Sequence, residues 1–218
     1  MLKFLPLILL LFSCSFGPGN LQSKHSSDLE ARKIRRIAVL PPGSATGVPS
    51  AKVPLGAQAD QRTSEREAPE RLAKLVYSAM VALPNWRVIS ENEVREVEQS
   101  LGNVPEAARL RRIGEMVYAD AVIVGRMLRY RERVGDEWGA KSPASVAFIL
   151  DLVDARRGDV VWSARFDETQ KPLSENIFAL GEISQRGIRW LTANQLMEEG
   201  VRKSVGQLYQ LIGRSPAS

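Results

Sequence analysis

The chain has 218 residues, 44% of them hydrophobic and 25% charged, close to the soluble globular average, which argues against wholesale disorder and a polytopic membrane protein and suits one domain with appendages. Thirty Lys and Arg against 25 Asp and Glu give a net charge of +5, too small an excess to compel a nucleic-acid partner, and none is expected. One Cys and one His leave no Cys/His zinc site, no intramolecular disulfide framework and few routes to a His-based triad; no metal, cofactor or catalytic residue is expected.

Met1-Leu2-Lys3 is a short basic start, followed by an apolar run from Phe4 to Phe12 interrupted only by Pro6. The run falls short of the roughly 20 apolar residues of a membrane span and matches the roughly 7–15 of a signal-peptide core. Leu11-Phe12-Ser13-Cys14 then resembles the bacterial lipobox, whose cysteine thiol receives a diacylglyceryl group before cleavage and N-acylation. The resemblance implies a signal peptide over 1–13, lipidation at Cys14 and a membrane anchor through that lipid. Ser15, where an Asp would resemble an inner-membrane retention signal, favours the periplasmic face of the outer membrane. From there to Lys33 the composition is Gly, Pro, Ser, Asn, Gln and charges without apolar periodicity, so 14–33 reads as an acylated flexible tether and His25 as a solvated linker residue.

The single domain is expected over 34–213, with 214–218 as a tail. It opens with the strand Arg36-Ile37-Ala38-Val39-Leu40, stopped by Pro41-Pro42. The polar stretch Gly43 to Glu67 is long for a connection; Gly43-Ser-Ala-Thr-Gly47 lacks the following Gly-Lys-Ser/Thr of a phosphate loop. From Ala68, Leu72, Leu75, Val76, Ala79 and Leu83 recur at helical spacing, with Pro69 near the start and Pro84 after the end. Trp86-Arg87-Val88-Ile89 is a short strand, Ser90 caps a helix through Leu101, and Glu106 to Tyr118 forms a third. Ala121-Val-Ile-Val124 is a buried strand running on into the charged Arg129 to Arg133. The basic groups Arg32, Lys33, Arg35, Arg36 and Arg109, Arg111, Arg112 read as solvated faces.

After a break at 135–143, Val146, Phe148, Leu150 and Leu152 alternate with Ala147, Ile149 and Val153. Asp154-Ala-Arg-Arg-Gly158 turns the chain into the return strand Val160-Val161-Trp162, an antiparallel hairpin with Gly158 free to take positive φ. Asp151, Asp154 and Asp159 lack an EF-hand ligand pattern and read as turn-capping acids. A polar connection from Arg165 to Arg189 leads to a last helix from about Thr192 to Ile212, with Met197 and Trp190 in the core. The order of elements predicts an α+β or three-layer α/β/α fold, with a mixed sheet of about four to five strands. Its core is expected from Ile37, Val39, Val122, Val124, Phe148, Leu150 and Val161 beneath the helices Leu72 to Leu83 and Leu196 to Ile212.

Arg36-Ile-Ala-Val-Leu-Pro, Val88-Ile-Ser-Glu-Asn-Glu-Val94, Ala119-Asp120-Ala121-Val-Ile-Val-Gly125 and Asp151-Leu-Val-Asp-Ala-Arg-Arg-Gly158-Asp-Val-Val-Trp162-Ser163 resemble the CsgG/LpoB-like periplasmic lipoprotein superfamily, that of the curli secretion channel and the penicillin-binding-protein activator. Tyr118 stands where that pattern has Gly, and Arg157 where it has Thr. The resemblance implies a non-catalytic envelope lipoprotein that binds a protein partner, a peptidoglycan synthase or a secretion component. Its alternatives are an oligomeric curli-type pore, which needs long alternating hairpins that Arg129 to Ser145 and Arg165 to Arg189 do not supply, and an Asp/Glu-based hydrolase, for which no acid pair is placed together. Gly43 to Glu67 and Arg165 to Arg189 are the expected contact surfaces, since partner-facing segments sit on loops displayed by a scaffold.

Overall fold

The apolar run that begins β4 (Ala121–Arg131) has no polar alternation over its first four residues, the pattern of a strand covered on both faces. A computed structural model, which describes residues 20–41, 59–136, 140–170 and 190–213, places it inside a six-stranded sheet. The other strands are β1 (Leu21–His25), β2 (Arg36–Val39), β3 (Arg87–Val88), β7 (Ser145–Asp154) and β8 (Val160–Thr169), in spatial order β1-β8-β7-β4-β2-β3. β2 pairs in parallel with β3 and β4, and the remaining pairs are antiparallel. A separate two-stranded ribbon, β5 (Val134–Gly135) with β6 (Ala140–Ser142), lies between β4 and β7 in sequence. The fold is α+β, with helices on both faces of the sheet.

α1 (Ala59–Val81) and α4 (Ala193–Leu208) cover one face. There Phe148, Leu150, Leu152, Trp162, Ala164 and Phe166 meet Leu72, Val76, Met80, Leu196, Met197, Val201 and Val205 in one cluster. Phe148 and Phe166 stack with ring centroids 5.2 Å apart. Gly200 brings α4 onto β8: a Cβ there would lie 2.7 Å from the Phe166 ring. α4 starts at a full capping box, Thr192 with Gln195, and continues into a π-helical turn at Tyr209–Gly213. α2 (Glu91–Ser100) and α3 (Glu106–Met116) lie on the other face. Ala38, Leu40, Val122, Val124 and Val153 meet Ile89, Val94, Leu110, Ile113 and Val117 there. Val122 and Val124 thus belong to this second core and not to the first with Phe148, contrary to expectation; a run buried on both faces carries no mark of which layer each residue enters.

The sheet has six strands where four to five are expected, because β1 lies within 14–33. From Leu21 that stretch is no tether: Leu21 pairs with Phe166 and His25 with Trp162, and the 3-10 turn Glu30–Arg32 follows, packing Leu29 into the first core at 1% exposure. His25 is exposed, as a linker residue would be, yet it sits in a strand. α1 begins at Ala59, nine residues before the periodic stretch, with Pro69 inside it; polar side chains such as Glu67, 2.8 Å from Arg71, mark a solvated helical turn and hide the apolar period. Ser90 caps α2 by accepting from the Glu93 N–H. The hairpin turns as expected, with φ of 77° at Gly158, a conformation that favours glycine.

Candidate functional site

The hairpin carboxylates come together around a cation from the segment before β2. Arg32, with a side chain 9% exposed, donates to Asp154 at 2.9 Å, to Asp159 at 2.8 Å and to Asp28 at 2.9 Å. Asp154 also accepts from the backbone N–H groups of Arg156 and Arg157, both at 2.9 Å. Burial works to raise the Asp154 pKa and is outweighed by those backbone donors and Arg32, so it lies below the usual carboxylate range. Asp159 is lowered by its hydrogen bond to Arg32, and Asp28 by the Ser26 hydroxyl and then by Arg32. These acids stay ionised at neutral pH, whereas a general acid needs a raised pKa. Turn capping, expected of Asp154, is what it does; the grip of Arg32 is a finding, since Arg32 is expected on a solvated face and is instead buried between β1 and the hairpin turn. A long polar segment with regular charges hides that role.

On the second face of the sheet the apolar core under α2 and α3 reaches only the Val153 end of β7. Beyond it ion pairs line the strands: Arg126 with Asp151 and Arg129 with Asp167 across strands, and Arg165 with Asp167 along β8. Burial raises the Asp167 pKa, but Arg129 and Arg165 more than offset this and hold it low. Between this lattice and the first turn of α3 lies a cleft of about 320 Å³, floored by Leu110, Val124 and Val153, with Val160 on its wall and Arg126, Asp151 and Glu106 as its charged lining. Asp151, expected among the turn acids, therefore belongs to the cleft and not to the turn. The carboxyl of Glu98 is raised by burial against the pull of Arg109 and Arg95, and it does not line the cleft. An apolar floor beside a fixed ion pair offers shape and charge to a bound group.

Cys14 and the segment 1–19 lie outside the described residues, as do most of the two connections expected as contact surfaces. Of those connections, 59–67 is the first part of α1 and 165–169 the end of β8. Trp190 is half-buried and Met197 fully buried. Among the described residues no group of His, Cys, Asp and Glu is arranged to hold a metal ion.

No family model and no curated protein sequence matches the chain. Among solved structures, the chain is similar to the PelC dodecamer from Paraburkholderia phytofirmans, at 14% identity and a TM-score of 0.45, over 86% of this chain and 95% of that one. It is similar to the hypothetical protein CT253 from Chlamydia trachomatis at 10% identity and a TM-score of 0.43, over 83% and 99% of the two chains. It is also similar to the LpoB C-terminal domain from Salmonella enterica at 13% identity and a TM-score of 0.31, over 63% and 84%.

Proposed function

We propose that this protein is a lipid-anchored accessory protein of the bacterial cell envelope: the segment 1–13 is removed, Cys14 is acylated, and the domain at the periplasmic face of the outer membrane acts by binding an envelope protein, a peptidoglycan synthase or a secretion component, without chemistry of its own. The observation that supports it most is how close in sequence to Cys14 the sheet takes up the chain, at β1. Asn20 is tied to the sheet by its carbonyl, which accepts from the Asp167 N–H at 2.8 Å. The six links from Cys14 to Asn20 reach at most about 20 Å fully extended. A lipid on Cys14 would therefore hold the β1 edge of the domain close to the bilayer, a geometry suited to presenting a surface to membrane-bound machinery. The hairpin acids clamped by Arg32 agree with a scaffold that binds.

Cells labelled with a palmitate analogue test the anchor: the parent chain should carry label and fractionate with membranes, and Cys14→Ala should lose both. Equal labelling of the two chains would remove the lipoprotein reading. Crosslinking of the wild type in cells, followed by mass spectrometry, should recover an envelope protein. Detergent-resistant rings with ion conductance would replace this reading with the pore, and a hydrolase activity lost on mutating one carboxylate would replace it with an enzyme.

A further inference from the structure

α3 ends in a Schellman motif, with the Ala119 N–H donating to the Gly114 carbonyl at 2.8 Å and the Tyr118 N–H to the Glu115 carbonyl at 3.3 Å. The residue after the cap in this motif takes the left-handed conformation, which is why glycine dominates there. Here it is Tyr118, with φ of 52°, and its side chain is turned outward, the residue being 80% exposed. A bulky residue in this region is held against its own sterics, and such residues cluster where function demands them. Packing within the domain does not account for this one, because so little of the ring is buried.

Cations predominate next to Tyr118 in contact, register and sequence. Arg36 donates from Nε to the Tyr118 carbonyl at 2.7 Å and from a terminal nitrogen to the Val117 carbonyl at 3.3 Å. Arg87 stands opposite Arg36 in the β2–β3 pair and is exposed, with no ion-pair partner among the described residues. Met116 is 49% exposed, and Arg112, one helical turn before it, is exposed on the same side of α3. Two acids are near. Asp120 is occupied, its Oδ2 accepting from the N–H groups of Arg35 and Arg36 at 3.0 and 2.9 Å, and Glu115 is exposed.

We propose that Tyr118 and Met116, with Arg36 on the Tyr118 carbonyl, Arg87 in register with Arg36 and Arg112 one turn before Met116, form the contact by which this protein docks onto an acidic surface of its protein partner. Tyr, Met and Arg are the residue types that concentrate in protein interfaces and carry much of their binding energy, and the arginines select an acidic rim on the other side. The position fits. β4 starts at the sheet end where Ala121 faces Asp154, whereas Asn20 is tied beside Asp167 near the opposite end of β8. On the reading above, on which this inference rests, a lipid at Cys14 leaves the Tyr118 end turned away from the bilayer and open to a partner.

The test places the photocrosslinking residue p-benzoylphenylalanine at position 118 of the full chain in cells, and at Val134, exposed on the ribbon near the other end of β4, as a reference. Position 118 should give an adduct with one envelope protein and position 134 should not. With that protein purified, Tyr118→Gly and the double variant Arg87→Glu, Arg112→Glu should each weaken binding by about tenfold or more, and the wild-type affinity should fall as salt rises. Tyr118→Gly removes the backbone strain, so its melting temperature should equal or exceed the wild type's, which separates lost contact from lost fold. Wild-type affinity in Tyr118→Gly overturns the inference. So does no adduct from position 118 while crosslinking through other residues still recovers an envelope protein, and in that case the accessory role stands. Recovery of no envelope protein by any crosslink ends both.

Discussion

The two faces of the sheet are built from the same strands and do different work. On the face under α1 and α4, the large side chains Phe148, Phe166, Trp162, Leu150 and Leu152 form a cluster that spans from β2 to β8. On the other face the core is of Ala, Val, Ile and Leu, without aromatic rings, under α2 and α3, and it stops at Val153 of β7. Beyond it the surface turns into arginine–aspartate pairs across β4, β7 and β8. Burial of apolar surface contributes about 1.5–3 kcal/mol per large side chain, while half-exposed ion pairs contribute about 0–1 kcal/mol each. One face therefore holds the large apolar side chains of the fold, and the other carries ion pairs beyond its smaller core, from the buried Asp151 to the exposed Arg165.

Phe148→Ala is the largest way to break that contrast. Phe148 is fully buried and stacked on Phe166, and the change should cost about 3–5 kcal/mol in urea unfolding; a loss under about 1 kcal/mol, the level of a surface change, would contradict the assigned core.

Arg32→Met is intermediate, because it leaves carboxylates facing one another without their cation. It should cost about 1–3 kcal/mol, most of it at Asp154, whose side chain is 12% exposed against 48% for Asp159. It should also change the acid limb of stability. The pKa values of Asp154 and Asp159 lie below the ordinary 3.8, so their contribution is complete above that value and disappears as pH falls through the folded values, where the unfolded chain binds more protons. Thermal melts of Arg32→Met should lose part of this fall below pH 3.8; a pH profile parallel to the wild type's would refute the clamp. At the small end, Arg165→Ala on the ion-paired face should move stability by no more than about 0.5 kcal/mol, and a loss above about 2 kcal/mol would show that this part of the sheet is covered.

The α+β class, the hairpin and the capped helices were legible because each has a local signal: alternation in Val146 to Val153, Gly158 at the turn, Ser90 and Thr192 at helix starts. β1 was not, because Leu21-Gln-Ser-Lys-His25 is an edge strand with three of its five residues exposed, and edges are polar by the same logic that keeps them from aggregating. The first turns of α1 carry few apolar residues and so no period. Arg32 was invisible as a buried residue because two of its three acids, Asp154 and Asp159, are separated from it by more than 120 positions. Tyr118 did leave a trace, as the one residue before Ala119-Asp120 that departs from the glycine of the resembled pattern; its exposure and its left-handed backbone needed coordinates.

The pairing of β1 with β8 sets a timetable for the chain. Ser26 donates to Val161, 135 residues further on, so β1, the first strand among the described residues, cannot pair until β8 has been made. The chain cannot close this edge as it emerges; it must wait until the hairpin is complete, and contacts so distant in sequence slow folding. Until then the outer edge of β8 stays unpaired. Any factor that receives the nascent or newly exported chain meets a sheet with a vacant edge and a loose strand at its leading end.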